Sequence, residues 1–280
     1  ADTPTPIADW RFDACDYETA SGAMDAMGND DHRGTYKNGA GVADGGRLCR
    51  ALTLDGQDDH VSLSDGVPSF TSQTDFTIMA WFKIDAAAGQ GYMPIFADDQ
   101  GQTDGFGFGV ENDRIRFYFR DDGAVTEIFS EPGKLEKDQW HHLAIVHENK
   151  GEENKTLDIV IDEQWAINGD TKYTGGWRAD HAAARMGGDA DGQAFAGLVD
   201  EVKVFEQALN LGQIKGLHDN DLAHKNWDDS DRACQPCAAA EYRFDACGYP
   251  AGEAEATGTV EDSSGNGFHG TPINGLAARP

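Results

Sequence analysis

The stretch FAGLVDEVKVFE at 195–206 places a carboxylate where an apolar side chain belongs. Strand alternation puts Leu198, Val202 and Val204 on one face and Glu201, Lys203 and Phe205 on the other, and Asp200 falls with Leu198 and Val202. A bare carboxylate in a poorly solvated interior costs on the order of several kcal/mol, so Asp200 needs a cation or hydrogen-bond donors. Hydrolysis of a glycoside would need two carboxyl groups facing each other across the scissile bond. Asp200 and Glu201 face opposite sides, and Asp162 and Glu163 in VIDEQW are likewise adjacent, so neither pair supplies that arrangement. His141 and His142 are neighbours in QWHHLAIVHE, and a strand sends them to opposite faces, which suits structural roles better than a shared metal. No GxSxG elbow, HExxH helix or P-loop is present, and no helix pattern follows GFGFGV at 105–110 as a dinucleotide fingerprint requires. The expectation is a protein that is not an enzyme.

Binding chemistry is better represented. Tyr92 in GQGYMP, Trp165 in DEQWAI and Trp177 in YTGGWRAD stand outside the strand pattern. Loop aromatics beside acids and amides suit carbohydrate, because an apolar sugar face meets a ring while hydroxyls meet oxygens; the competing reading is local loop packing. FADDQGQTDG at 96–105 reads as an acidic loop whose Asp98 and Asp99 either face a ligand or are solvated. Gly105, Gly107 and Gly109 form one bare strand face, suited to close sheet packing or to a floor that a ligand approaches.

The charge narrows the partners. With 50 acidic against 22 basic residues, the formal net charge of −28 repels nucleic acid and anionic membranes. It favours solubility, and it also offers oxygen ligands to a hard divalent cation, for which calcium is the expected cofactor. No apolar run approaches the ~20 residues of a membrane span. The five cysteines Cys15, Cys49, Cys234, Cys237 and Cys247 lack the spacing of a zinc site and fit an oxidised location, extracellular or periplasmic. The chain opens at Ala1 without a signal peptide, which reads as a processed mature chain.

The elements that would carry these residues are strands. DFTIMAWFKI alternates Phe76, Ile78, Ala80, Phe82 and Ile84 against Thr77, Met79, Trp81 and Lys83. GFGFGV sets Phe106, Phe108 and Val110 on one face, and RIRFYFR sets Ile115, Phe117 and Phe119 against Arg114, Arg116, Tyr118 and Arg120. Short runs of this kind ending in Gly, Asp or Asn predict an all-β, two-sheet antiparallel sandwich. One short helix is expected, in LNLGQIKGLH at 209–218.

The chain also repeats its own beginning. ADWRFDAC at 8–15 returns as AEYRFDAC at 240–247, and DAMGNDDHRGTYKNG at 25–39 resembles DSSGNGFHGTPING at 262–275. The expected division is a tail at 1–6, a module at 7–219, a cysteine-containing linker at 220–239 and the start of a second module at 240–280. Within it Cys15 is paired with Cys49, while Cys234 and Cys237 close on each other or one of them takes Cys247.

The segments ALTLDGQDDHVSL at 51–63, DFTIMAWFKI, QWHHLAIVHE, LDIVIDEQWAING and the closing run at 184–218 together resemble a laminin G-like, concanavalin A-like jelly-roll module. DWRFDAC with GGRLCRAL is similar to the subset found in large bacterial surface proteins, such as the MSHA-pilus biogenesis protein. The resemblance implies a calcium ion between the opening loop and the closing strand, with Asp25, Asn29 and Asp200 as ligands; the alternative is that Asp200 caps backbone amides. It further implies a calcium-stabilised module of an adhesin-like protein that binds carbohydrate or a surface glycan. A second reading is an assembly module whose half-repeat at 240–280 docks on neighbouring copies of itself, and a third is a glycan-active hydrolase, for which no paired acids are found.

Overall fold

The computed structural model describes residues 3–13, 18–19, 22–63, 70–100, 103–151, 154–167, 172–173, 176–177 and 184–232. The chain divides into two units, 1–231 and 232–280, and all but the first residue of the second lies outside the described set. Cys15, Cys234, Cys237, Cys247 and the second copy of the repeat therefore fall outside it as well. Cys49 is disulfide-bonded.

The first unit is a sandwich of two antiparallel sheets. The central path of the first sheet runs Gln164–Ile167, Lys155–Ile161, Trp140–Asn149, Phe76–Ile84, Ala196–Phe205, Arg50–Asp55 and Gly41–Asp44. The second runs Ala124–Phe129, Arg114–Asp121, Asp104–Glu111, Tyr92–Gln100, Arg185–Met186, His60–Ser62, Gly34–Lys37, Gly22–Ala23 and Glu18–Thr19. Phe76, Ile78, Ala80, Phe82 and Ile84 face Phe106, Phe108, Val110, Ile115, Phe117 and Phe119 in one core, as the alternation predicted. Phe106 sits 5.3 Å from Phe76 and 5.9 Å from Phe117, so aromatic contacts join the sheets.

The closing strand departs from simple alternation. Glu201 has φ +50, and the register against Phe76–Ile84 slips between Asp200 and Lys203. This bulge puts Val199, and not Leu198, into the core with Val202 and Val204. Asp200 pairs with Trp81 and Lys203 with Met79, so Asp200 lies on the outer side of the sheet, not on the apolar inner side. The slip also marks a change of neighbour. Ala196–Val199 pairs with Arg50–Asp55, whereas Val202–Val204 pairs with Ala8–Trp10.

That outer side is covered by α1 (Leu211–Leu222), the single α-helix among the described residues, opened by Asn210, whose side chain accepts from Gln213 N. Ile214 and Leu217 pack with Met79, Ala144, Val146, Val160 and Phe205 in a second apolar cluster. Within the stretch from residue 220 expected as a linker, Asp221 is buried in α1, and the first unit continues to Asp231.

Candidate functional site

Polar groups on the outer side of the first sheet are closed off by one another. Lys203 Nζ donates to Glu201 Oε2 at 2.8 Å and to Asp221 Oδ1 at 2.7 Å. Arg11 binds Asp9 Oδ2 and reaches Asn226 Oδ1. Trp81 donates to Asp221 Oδ2, with the Arg47 guanidinium 4.6 Å from its ring centre and His218 stacked at 5.0 Å. Burial holds His142 well below the usual imidazole range, and the charges of His218 and Lys203 add to that. These groups bury charge under a helix and are held in pairs with one another.

Asp200 lies at the edge of this region. Its Oδ1 accepts from Glu201 N at 2.9 Å and its Oδ2 from Leu48 N at 3.1 Å, where the strand changes neighbours. Burial raises its carboxyl well above the usual range, with Glu201 and Asp13 adding to the effect. Asp25 and Asn29 are brought together through His32. Asp25 Oδ1 accepts from Asp9 N and Met27 N, and its Oδ2 takes His32 Nδ1–H at 2.9 Å. The other ring nitrogen of His32 lies 3.2 Å from Asn29 Nδ2, and Asn29 Oδ1 accepts from Asp31 N. Burial raises the Asp25 carboxyl as well. Among the described residues, no hydrogen bond or ion pair links Asp200 to Asp25 or Asn29.

Trp177 occupies one end of the sandwich. Its ring is core, packed on Phe106, Phe119 and Tyr173, so the expected loop aromatic offers no free face. Its indole Nε1 is buried without a hydrogen-bond partner, and the residue lines a cleft of about 430 Å³. Ser72, Gln73, Asp104, Asp121 and Asp122 supply the oxygens of the cleft, and Asp121 Oδ2 accepts from Gly176 N. In the cleft an expected ligand aromatic meets a group of acids at a surface opening.

The other expected ligand residues are distributed differently. Tyr92 opens a strand and lies in no loop; it is 9% exposed. Trp165 is in Gln164–Ile167 and packs against the apolar cluster under α1. The stretch at 96–105 is strand up to Gln100, so Asp98 and Asp99 are not loop residues. Asp98 pairs with Phe106 on the core side and is fully buried. Asp99 faces outward, accepting from Tyr118 Oη at 2.6 Å and Ala190 N at 3.1 Å. One acidic group was not singled out from sequence. Asp55, Asp58 and Asp59 bring carboxylate oxygens within 4.8 Å of one another in the DGQDDH turn, where Asp59 accepts from Asp55 N. Two acids flanking a glycine turn were the available signal.

A laminin G-type family model, described as the concanavalin A-like lectin/glucanases superfamily, matches residues 55–215, and the chain belongs to that family. No curated protein sequence matches the chain. Among solved structures it is similar to domain 4 of AbnA, a GH43 extracellular arabinanase from Geobacillus stearothermophilus, in complex with arabinotriose. The identity is 20%, the TM-score 0.57, and the match covers 76% of this chain and 98% of that one. The botulinum neurotoxin serotype D ligand binding domain in complex with N-acetylneuraminic acid is 11% identical, with a TM-score of 0.54 over 81% of this chain and 54% of that one. A Trypanosoma rangeli sialidase in complex with the inhibitor DANA is 15% identical, with a TM-score of 0.52 over 77% and 33%. The chain thus spans about half of the toxin domain and a third of the sialidase. At these identities the likeness shows a shared fold. Among the described residues, no helix is long and apolar enough to cross a membrane.

Proposed function

We propose that the chain is a carbohydrate-binding module that acts by recognition and not by catalysis, with its glycan in the cleft at Trp177. One observation carries this reading: a buried indole N–H without a partner, in an opening lined by carboxylates and hydroxyls. A buried donor left unpaired costs about 1–3 kcal/mol, and a sugar oxygen in the cleft would relieve that cost. The carboxylates accept from sugar hydroxyls, and the cleft volume lies in the ~300–1,000 Å³ range of small-molecule sites. The sugar complexes of domains with this fold support the reading. Asp121 and Asp122 are exposed, so neither has the apolar setting of a glycosidase acid, which supports binding without hydrolysis.

Trp177→Phe keeps most of the ring and removes the N–H. The expected result is a tenfold or greater loss of affinity for the best oligosaccharide found on a glycan array, with a cooperative melting transition retained. Should Trp177→Phe melt poorly, the exposed Asp122→Asn serves the same purpose. Unchanged glycan retention in the folded variant sinks the assignment to this cleft.

The finer reading sets the module outside the cell in an adhesin-like protein, which the disulfide at Cys49 and the acidic surface support. A structural calcium at Asp25, Asn29 and Asp200 is a separate proposal. It is supported by Asp200 being fully buried beside other acids with no cationic side chain paired to it among the described residues. Each carboxylate oxygen that already accepts from an amide has a second lone pair to offer a cation.

A further inference from the structure

The outer side of the second sheet holds a smaller, half-open pocket of about 170 Å³, lined by Tyr92, Arg116, Tyr118, Arg120, Asp189, Asp191 and Gln193. The glycine strand shapes it. A Cβ on Gly107 would stand 2.7 Å from the Tyr118 ring, so only glycine lets that ring lie flat across the strand. On Gly109 a Cβ would meet Met93 O at 2.0 Å, so the neighbouring backbone is as close as a bare strand permits. Arg116 then stacks 4.5 Å above the Tyr92 ring and 5.3 Å from Tyr118, and Arg120 lies 5.3 Å from Tyr118. The aromatic faces are covered by guanidinium groups, so the pocket offers hydrogen bonds and not a stacking platform.

Those hydrogen bonds are incomplete. Tyr92 Oη, Arg116 Nε and Arg120 Nε are all buried without a hydrogen-bond partner. Both guanidinium nitrogens face a carboxylate beyond hydrogen-bonding range: Glu111 at 3.6 Å from Arg116 Nε and Asp99 at 3.8 Å from Arg120 Nε. An acceptor is free as well. Asp189 Oδ1 takes Asp191 N and Gln193 N, while its Oδ2 has no hydrogen bond among the described residues. Burial pushes this carboxyl up to about 6, the mark of a group short of solvation.

The unmet groups define their occupant. It must bring acceptors to three donors and at least one donor to Asp189. An acidic ligand is disfavoured, because Asp99, Glu111, Glu127, Asp189 and Asp191 outnumber the two guanidinium groups. A cationic ligand would lie against those same guanidinium groups. The space equals roughly six times a water molecule's share of the liquid, ~30 Å³, which suits one sugar ring and not a chain.

We propose that this pocket is a second binding site that takes a single neutral sugar ring. Its oxygens accept from Tyr92 Oη and the two arginine Nε groups, and one hydroxyl donates to Asp189. The proposal rests on the chain being a carbohydrate-binding module, but not on the cleft at Trp177. The test is saturation-transfer NMR and calorimetry on the full chain. The probes are a set of neutral methyl pyranosides, arabinose and N-acetylneuraminic acid.

The expected result is binding of a neutral monosaccharide, weakened tenfold or more by Tyr92→Phe and by Asp189→Asn and unaffected by Trp177→Phe. Tyr92→Phe removes only a hydroxyl that lacks a partner, so its melting temperature should match or exceed that of the parent. Two results overturn the second site while the module reading stands. One is oligosaccharide binding that depends on Trp177 with no monosaccharide bound; the other is tighter binding of N-acetylneuraminic acid that responds to Tyr92→Phe. Absence of binding to any sugar overturns both.

Discussion

The two outer sides of the sandwich carry similar chemistry put to opposite use. On the first sheet, Lys203, Arg11, Glu201, Asp221 and Asp9 hold one another under α1. On the second, Arg116, Arg120, Asp189 and two tyrosines line a space and leave donors and an acceptor unmet. The difference is the cover. A helix supplies Asp221 as a second counter-ion for Lys203, whereas among the described residues no helix covers the groups around the second space. On the covered side ion pairs dominate, although Asp9 Oδ1 and His142 Nδ1 are short of a hydrogen bond, and such buried pairs serve structure. On the open side several groups around one space are short of partners, which lowers stability and invites a ligand.

The contrast breaks most visibly at Lys203. Lys203→Ala leaves Glu201 and Asp221 buried without their cation, and the expected loss is about 3–5 kcal/mol in urea unfolding at neutral pH. A loss below about 1 kcal/mol would show that the covered side is no more dependent on its pairing than an exposed surface.

The open side should respond with the opposite sign. Asp189 has its folded carboxyl raised to about 6, above the ordinary 3.8, so the folded chain bears a cost above pH 6 that is relieved as pH falls toward 4. Asp189→Asn keeps an acceptor for Asp191 N and Gln193 N and removes that cost. It should raise stability by about 1 kcal/mol at pH 7 and make no difference near pH 4. A destabilised Asp189→Asn chain at pH 7 would mean that the carboxylate is already satisfied.

The smallest effect is expected from chelation. With calcium at Asp25, Asn29 and Asp200, removing it lowers the melting temperature by about 2–4 °C, and Asp200→Asn abolishes that response. An unchanged transition would mean that Leu48 N and Glu201 N suffice for Asp200.

Much of this was legible in the sequence, and the failures have physical causes. Alternation at 76–84, 106–110 and 115–119 named the core correctly, because both sheets bury one regular face. It failed at Asp200, where a left-handed Glu201 inserts an extra residue that no hydrophobic pattern records. Tyr92 and Trp165 were read as loop aromatics because their strands start beside glycine or acidic turns. Trp177 was named as a ligand residue for its ring, yet only its N–H edge is left unmet. The polarity of 220–231 hid a helix end, since Asp221 is inside as a counter-ion and not outside as a solvated acid. The pocket at Tyr92 draws its residues from two strands and the 189–193 turn, a convergence that spacing along the chain does not show.

The change of neighbour along Ala196–Phe205 has a consequence in time. Ala8–Trp10, near the start of the module, pairs with Val202–Val204, near its end. On the ribosome this strand can meet Asp25 and Ala26 early, but its ladder partner is missing until nearly the whole sandwich has emerged. Its ladder closes the longest loop in the fold, a late and entropically expensive step. Until then Trp10 lacks its place in the core, and its burial should report completion of the module.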